Sequence, residues 1–222
     1  MAAQGALIVS GPGGTIEIKG RRRLENAKVF EAMLTDLSNR LTSNLNQHKT
    51  IVIADLDISQ NKLTHEQFES LFMTLGVAGV KVQRFRMFGC ATLNDEVMRV
   101  IGEYFRANVT AETAPQEMHL SDCAITAEGF THLASAIEDT ELYPVPAPGG
   151  GGKGWALYLR LENNYIDEAA IQEKVDSGLV APFTKKSTRM SDIAGAAKIN
   201  LVVMSEKGGY QQRPGEPPAP EA

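Results

Sequence analysis

The spacing L-x-L-x-x-N-x-L returns along this chain. A returning spacing constrains a fold more than any single element, because it implies units that share one backbone path. IADLDISQNKLT places Leu56, Ile58, Asn61 and Leu63 in that spacing, EMHLSDCAIT places Met118, Leu120, Cys123 and Ile125, and YLRLENNYID places Leu159, Leu161, Asn164 and Ile166. A looser copy, FRMFGCATLN, keeps Phe85, Met87 and Cys90 in register but brings its last apolar residue, Leu93, one position late.

Each copy is followed by a helix-start residue and a helical run: Thr64 before HEQFESLFMTLG, Asn94 before DEVMRVIGEYFRAN, Thr126 before AEGFTHLASAIED and Asp167 before EAAIQEKVDSG. Thr, Asn and Asp accept bonds from the free amides of a first helical turn, and the acids that follow suit the helix dipole. The expectation is strand, turn and helix, four times over. The copies are 29, 33 and 41 residues apart, so the later units carry insertions, the longest being TELYPVPAPGGGGKG at 140–154. Its prolines and glycines cannot continue a helix and predict a surface loop.

Ahead of the repeats, ALIVSGPGGTIEIK at 6–19 alternates apolar and polar residues on both sides of Gly11-Pro12-Gly13-Gly14, the pattern of a β-hairpin. From Arg21 to about Gln47, apolar residues recur at three and four and predict one amphipathic helix. Behind the repeats, Ile199–Met204 could form a strand. The closing SEKGGYQQRPGEPPAPEA has too little apolar content to order itself, which predicts a flexible tail. The domain reading is therefore a hairpin and helix cap at 1–50, a repeat body at 51–180 and a largely flexible tail at 181–222.

The pattern resembles leucine-rich repeats of the longer, helix-containing kind found in ribonuclease-inhibitor-like proteins. Asn61, Cys90, Cys123 and Asn164 stand where that family carries Asn or Cys. The resemblance covers about residues 51–180 and implies an α/β solenoid with parallel strands on a concave face and helices on a convex one. With about four units the arc is short, and Phe85 and Met87 depart from the usual leucines. The motif asks for the same arrangement: strand leucines face the core, the Asn or Cys satisfies backbone groups at the turn, and each unit buries its apolar side against its neighbours. The resemblance implies partner binding only in a general way.

Chemistry finds little purchase. Cys90 and Cys123 are the only cysteines. A redox pair or a metal site are the functional alternatives, but no histidine partners them in the turn, and equivalent repeat positions favour a structural role. His48, His65, His119 and His132 make no metal or catalytic spacing. Gly149–Gly154 lacks the Gly and Ser or Thr of a phosphate loop, with Ala147 and Gly154 in their places, and runs into a strand rather than a helix. No catalytic residue, metal ligand, cofactor or small-molecule substrate is predicted, and the chain reads as a non-enzyme.

Net charge is −5, divided as +3 over residues 1–50, −10 over 51–180 and +2 over 181–222. An acidic body is a poor nucleic-acid surface. Strand alternation supplies the sharper site. If the strand leucines point inward, Asp57, Arg84, Arg86, Phe88, His119, Tyr158, Arg160 and Glu162 point outward, a patch of arginines, aromatics and acids suited to a partner protein. The function expected is a non-catalytic interaction module, an adaptor or subunit of a larger assembly. The alternative is an RNA-associated factor that holds phosphates with Arg21, Arg22 and Arg23 at the start of the first helix and with Lys185, Lys186 and Arg189 in the tail. No apolar run reaches the roughly 18 residues of a membrane span, and the start lacks a secretory signal, so an intracellular protein, cytoplasmic or nuclear, without membrane contact is expected.

Overall fold

The structure, a computed structural model, describes residues 5–45, 50–77, 79–146, 154–185 and 197–219. Among them β1 (Ile8–Ser10), β2 (Ile16–Lys19), α1 (Ala27–Leu45), β3 (Ile51–Asp57), α2 (His65–Leu75), β4 (Val80–Val82), β5 (Arg84–Arg86) and α3 (Asp95–Asn108) make the first half. β6 (Glu117–His119), α4 (Ala127–Thr140), β7 (Leu157–Arg160), α5 (Glu168–Asp176), β8 (Val180–Thr184) and β9 (Ile199–Met204) make the second. The fold is α/β. One open sheet runs in the order β1-β2-β3-β5-β6-β7-β9-β8, with β4 also against β3, and only the β1/β2 hairpin is antiparallel.

One apolar residue from each of six strands is held level across this sheet: Ile18, Leu56, Phe85, Met118, Leu159 and Leu201 are successive register partners. All six are buried and share one core with Leu37, Phe68, Ile101, Leu133 and Ile171 of α1 to α5. The helices therefore pack on the apolar side of the sheet. Four of them begin where the sequence places their caps. Thr64 closes a capping box with Gln67, and Asn94, Thr126 and Asp167 accept from first-turn amides.

The turn after each strand recurs in detail. Four positions beyond Ile18, Leu56, Phe85, Met118 and Leu159 stand Arg22, Gln60, Gly89, Asp122 and Asn163, and all five have positive φ, between 56° and 68°. Most side chains avoid this region, so five equivalent occurrences mean that the turn itself demands it. Asn61 then donates through Nδ2 to the Gly20 and Ile58 carbonyls (3.0 and 2.8 Å) and accepts at Oδ1 from Leu24 N (2.8 Å). Asn164 donates to the Leu120 and Leu161 carbonyls (2.8 and 3.1 Å) and accepts from Cys123 N and Ile125 N (3.1 and 3.3 Å). The Cys90 and Cys123 thiols do part of the same work, donating to the Ile58 and Met87 carbonyls of the preceding units. Burial pushes the Cys90 thiol up to about 11 and raises that of Cys123 as well, which suits a hydrogen-bond donor and not a nucleophile.

Two expectations are corrected. Arg21, Arg22 and Arg23 do not begin a helix. They form the first of the five turns, and α1 starts only at Ala27, where the Asn26 side-chain oxygen accepts from Lys28 N and Val29 N. Nor does the chain trail away after residue 181. β8 and β9 join the sheet, and Gln211 N and Arg213 N bond to and beside it, to the carbonyls of Val203 and Asn164. Gln212 binds the last turn as the asparagines bind theirs, donating to the Leu161 carbonyl (3.0 Å) and accepting from Ile166 N (3.3 Å). Buried Ile199, Leu201, Val202 and Val203 hold β9, and beyond it the segment is anchored by backbone groups and by the side chains of Tyr210, Gln211, Gln212 and Arg213, which apolar content does not report. Val145, in the 140–154 insertion, pairs with Trp155 just beyond it through two 2.8 Å backbone bonds. Gly149–Lys153, Lys186 and Arg189 lie outside the described residues.

Candidate functional site

The polar side of the sheet is built by the same register that levels its core. One residue before each core position runs the row Glu17, Asp55, Arg84, Glu117, Tyr158; one residue after it runs Lys19, Asp57, Arg86, His119, Arg160. Strand neighbours sit about 4.8 Å apart, so these rows bring together side chains distant in sequence. Arg84 Nε lies 2.7 Å from Glu117 Oε2, Arg86 Nε lies 3.1 Å from Asp55 Oδ1, and Lys19 Nζ lies 3.2 Å from Glu17 Oε2. Arg160 grips Glu162 at 2.6 Å along its own chain. His119 meets the other Glu117 oxygen, and its ring stands 6.1 Å from that of Tyr158.

The site residues named from sequence thus share one face. Asp57 accepts from Ser59 beside it, and Phe88 lies at the edge toward the turns. The basic cluster, by contrast, is split. Arg21 bonds Gln60 Oε1 at 2.8 Å and sits 5.1 Å above the Phe88 ring, so it belongs to the same face. Arg23 is spent on the carbonyls of Lys19 and Gly5, and Arg22 is exposed in its left-handed turn. Glu17 and Lys19 extend the face and were missed, because IKGRRRLEN carries the turn with Gly20, Arg23 and Glu25 at the repeat positions of leucine, asparagine and leucine. Ile16 and Ile18, two apart as that stretch begins, were the available sign.

The face is charged yet largely paired. Burial alone would raise the Glu117 carboxyl, but the hydrogen bond and charge of His119, and then those of Arg84, outweigh it and hold the group down to about 2. At Asp55 the balance reverses. Burial raises its carboxyl despite Arg86 and Arg84. A carboxyl depressed in the folded state stabilises the fold above its ordinary 4.5, and that contribution is lost as pH falls from there toward 2. Glu117→Gln is therefore expected to flatten the fall of unfolding free energy across this window by on the order of 2 kcal/mol, read from urea titrations at stepped pH. Parallel curves for the two proteins would contradict the clamp.

Among the described residues no three His, Cys, Asp or Glu side chains are grouped to hold a metal ion, and no helix is long and apolar enough to cross a membrane. No protein-family profile matches the chain, and no curated protein is detectably similar to it. What the arrangement can do chemically is present guanidinium, carboxylate, imidazole and phenol groups at strand spacing on a preformed surface.

Proposed function

We propose that the chain is a non-catalytic protein-interaction module, a short leucine-rich-repeat solenoid that serves as an adaptor or subunit of a larger assembly and binds a partner protein through its polar sheet face. The observation that carries this reading is the level alignment of Arg84, Arg86, His119, Tyr158 and Arg160 on three adjacent strands. Arginine and tyrosine anchor interfaces because they combine large contact area with directed hydrogen bonds. Ion pairs among them hold the side chains in place before binding, which reduces the entropy lost on association. The solenoid reading is supported by the five equivalent turns and the side-chain ladder at Asn61, Cys90, Cys123 and Asn164.

The test is in-cell cross-linking followed by quantitative binding to the proteins so found. The double variant Arg86→Gln/Arg160→Gln, which keeps the fold by circular dichroism, is expected to weaken partner affinity roughly tenfold or more, as loss of two central anchors does elsewhere. Unchanged affinity for every partner would remove the polar face from the proposal.

A further inference from the structure

The stretch after β9 is held by contacts unlike those of the core. Past Met204 the chain reverses through a tight turn at 205–209, with Gly208 and Gly209 at positive φ, and Tyr210 pairs back on Met204. Residues 211–213 then run alongside the turns that follow β6 and β7. Asn163 N donates to the Gln211 carbonyl (2.7 Å) and Arg213 N to that of Asn164 (2.6 Å). Gln211 donates to Asn163 Oδ1 (3.0 Å), and Gln212 spans the Leu161 carbonyl and Ile166 N. Arg213 reaches Asp122 Oδ1 at 3.2 Å, with its guanidinium 5.6 Å from the centre of the Tyr165 ring.

These are the groups by which a protein reads a bound peptide. No residue of 211–219 is buried, so apolar packing does not fix this segment, and backbone bonds, two amides and a guanidinium do. The receiving edge is fixed independently of it: Asn164 is tied to the β6 and β7 turns through four backbone groups, and Asn163 donates to Asp122 at 3.0 Å. The contacts also select. The Leu161 carbonyl and Ile166 N need the donor and the acceptor of one primary amide, which glutamine has and glutamate lacks. Asp122 beside the Tyr165 ring suits a flat cation, arginine rather than lysine. Past Arg213, residues 214–217 follow the same edge and line a hollow with Thr126, Tyr165 and Asp167.

We propose that the edge formed by the β6 and β7 turns is a peptide-recognition site which the chain's own tail fills, and that a Gln-Arg-Pro segment of a partner protein takes the tail's place. The segment seated there defines the occupant: a glutamine for the Leu161 and Ile166 groups, an arginine next to it for Asp122 and Tyr165, and a proline after that. The glycine turn at 205–209 lets the tail leave while β9 stays in the sheet. Once it leaves, the Leu161 carbonyl and Ile166 N lack the amide that serves them, and this favours replacement over an empty site. The tether keeps the tail at a local concentration of roughly millimolar, which sets the competition a partner must win. The Arg213–Asp122 pair is exposed and fixes register more than affinity.

The experiment uses the full chain with a protease site inserted in the 205–209 turn, and a fluorescein-labelled peptide of residues 209–219 as the probe. After the cut the chain is expected to stay folded by circular dichroism and to exchange its tail fragment for the probe, seen as a saturable rise in anisotropy. Washing the fragment away is expected to lower the melting temperature, and the probe to restore it. In the probe, Gln212→Ala is expected to weaken uptake about tenfold and Arg213→Ala about threefold. Asp122→Asn in the chain is expected to weaken the parent probe but not the Arg213→Ala one. The uncut chain excludes the probe below roughly millimolar, whereas the uncut variant Gln212→Ala/Arg213→Ala takes it up. Unfolding of the cut chain once its fragment is gone, no uptake by the cut chain and the uncut variant, or equal uptake of a scrambled probe overturns the proposal. So does a stable dimer of the uncut chain in which two copies trade tails.

Discussion

Asn164→Ala is expected to lower the melting temperature by roughly 10 °C. The side chain is fully buried and meets four backbone groups, the Leu120 and Leu161 carbonyls and the Cys123 and Ile125 amides. Alanine leaves all four without that partner, at a place water does not reach. An orphaned buried polar group costs about 1–3 kcal/mol, and partial relaxation of the turn brings the total to about 3–4 kcal/mol. For a chain of this size each kcal/mol shifts the midpoint by about 2–4 °C. Asn164→Cys is the informative companion. Cys90 and Cys123 fill equivalent positions with a thiol that donates to the preceding unit, so cysteine at 164 should restore part of the loss. Thermal unfolding followed by circular dichroism reads both. A shift under about 2 °C for the alanine variant would mean that the ladder is decoration.

The second large effect lies at Phe85, whose register partners on the neighbouring strands are Leu56 and Met118. It is fully buried, 5.9 Å from the Phe72 ring and 6.3 Å from that of Tyr104. Phe85→Ala removes most of that volume from a tightly packed place and is expected to cost about 3–5 kcal/mol, seen as a lower urea midpoint with an unchanged slope. Phe85→Leu keeps most of the apolar volume and should cost about 1–2 kcal/mol. Equal losses for leucine and alanine would show that the aromatic cluster, and not apolar volume, is what the position requires.

How far these features could be read from sequence depends on the kind of signal each leaves. Leu56, Met118 and Leu159 were legible because core positions repeat at fixed offsets, and so were the caps at Thr64, Asn94, Thr126 and Asp167. The late Leu93 was also read correctly as an irregularity. It is fully buried all the same, and its carbonyl receives Ala124 N, so the extra residue is absorbed within the turn. Arg22 was illegible as a turn residue, because an arginine at positive φ has no compositional mark and is imposed by the path of its neighbours. The outward direction of Arg84, Arg86 and His119 followed from alternation. That Arg84 reaches the carboxylate of Glu117 did not, because cross-strand pairing depends on register and not on spacing along the chain.

Gln212 ties a late stretch of the chain to the middle of the sheet. It closes the turn after β7, while β9 and then β8 continue the sheet beyond it. The carbonyl of Leu161 and the amide of Ile166 are thus served by a side chain 51 and 46 residues further along. Removal of the segment that carries Gln212 would be felt inside the fold, at a turn between neighbouring strands, and not only at its surface.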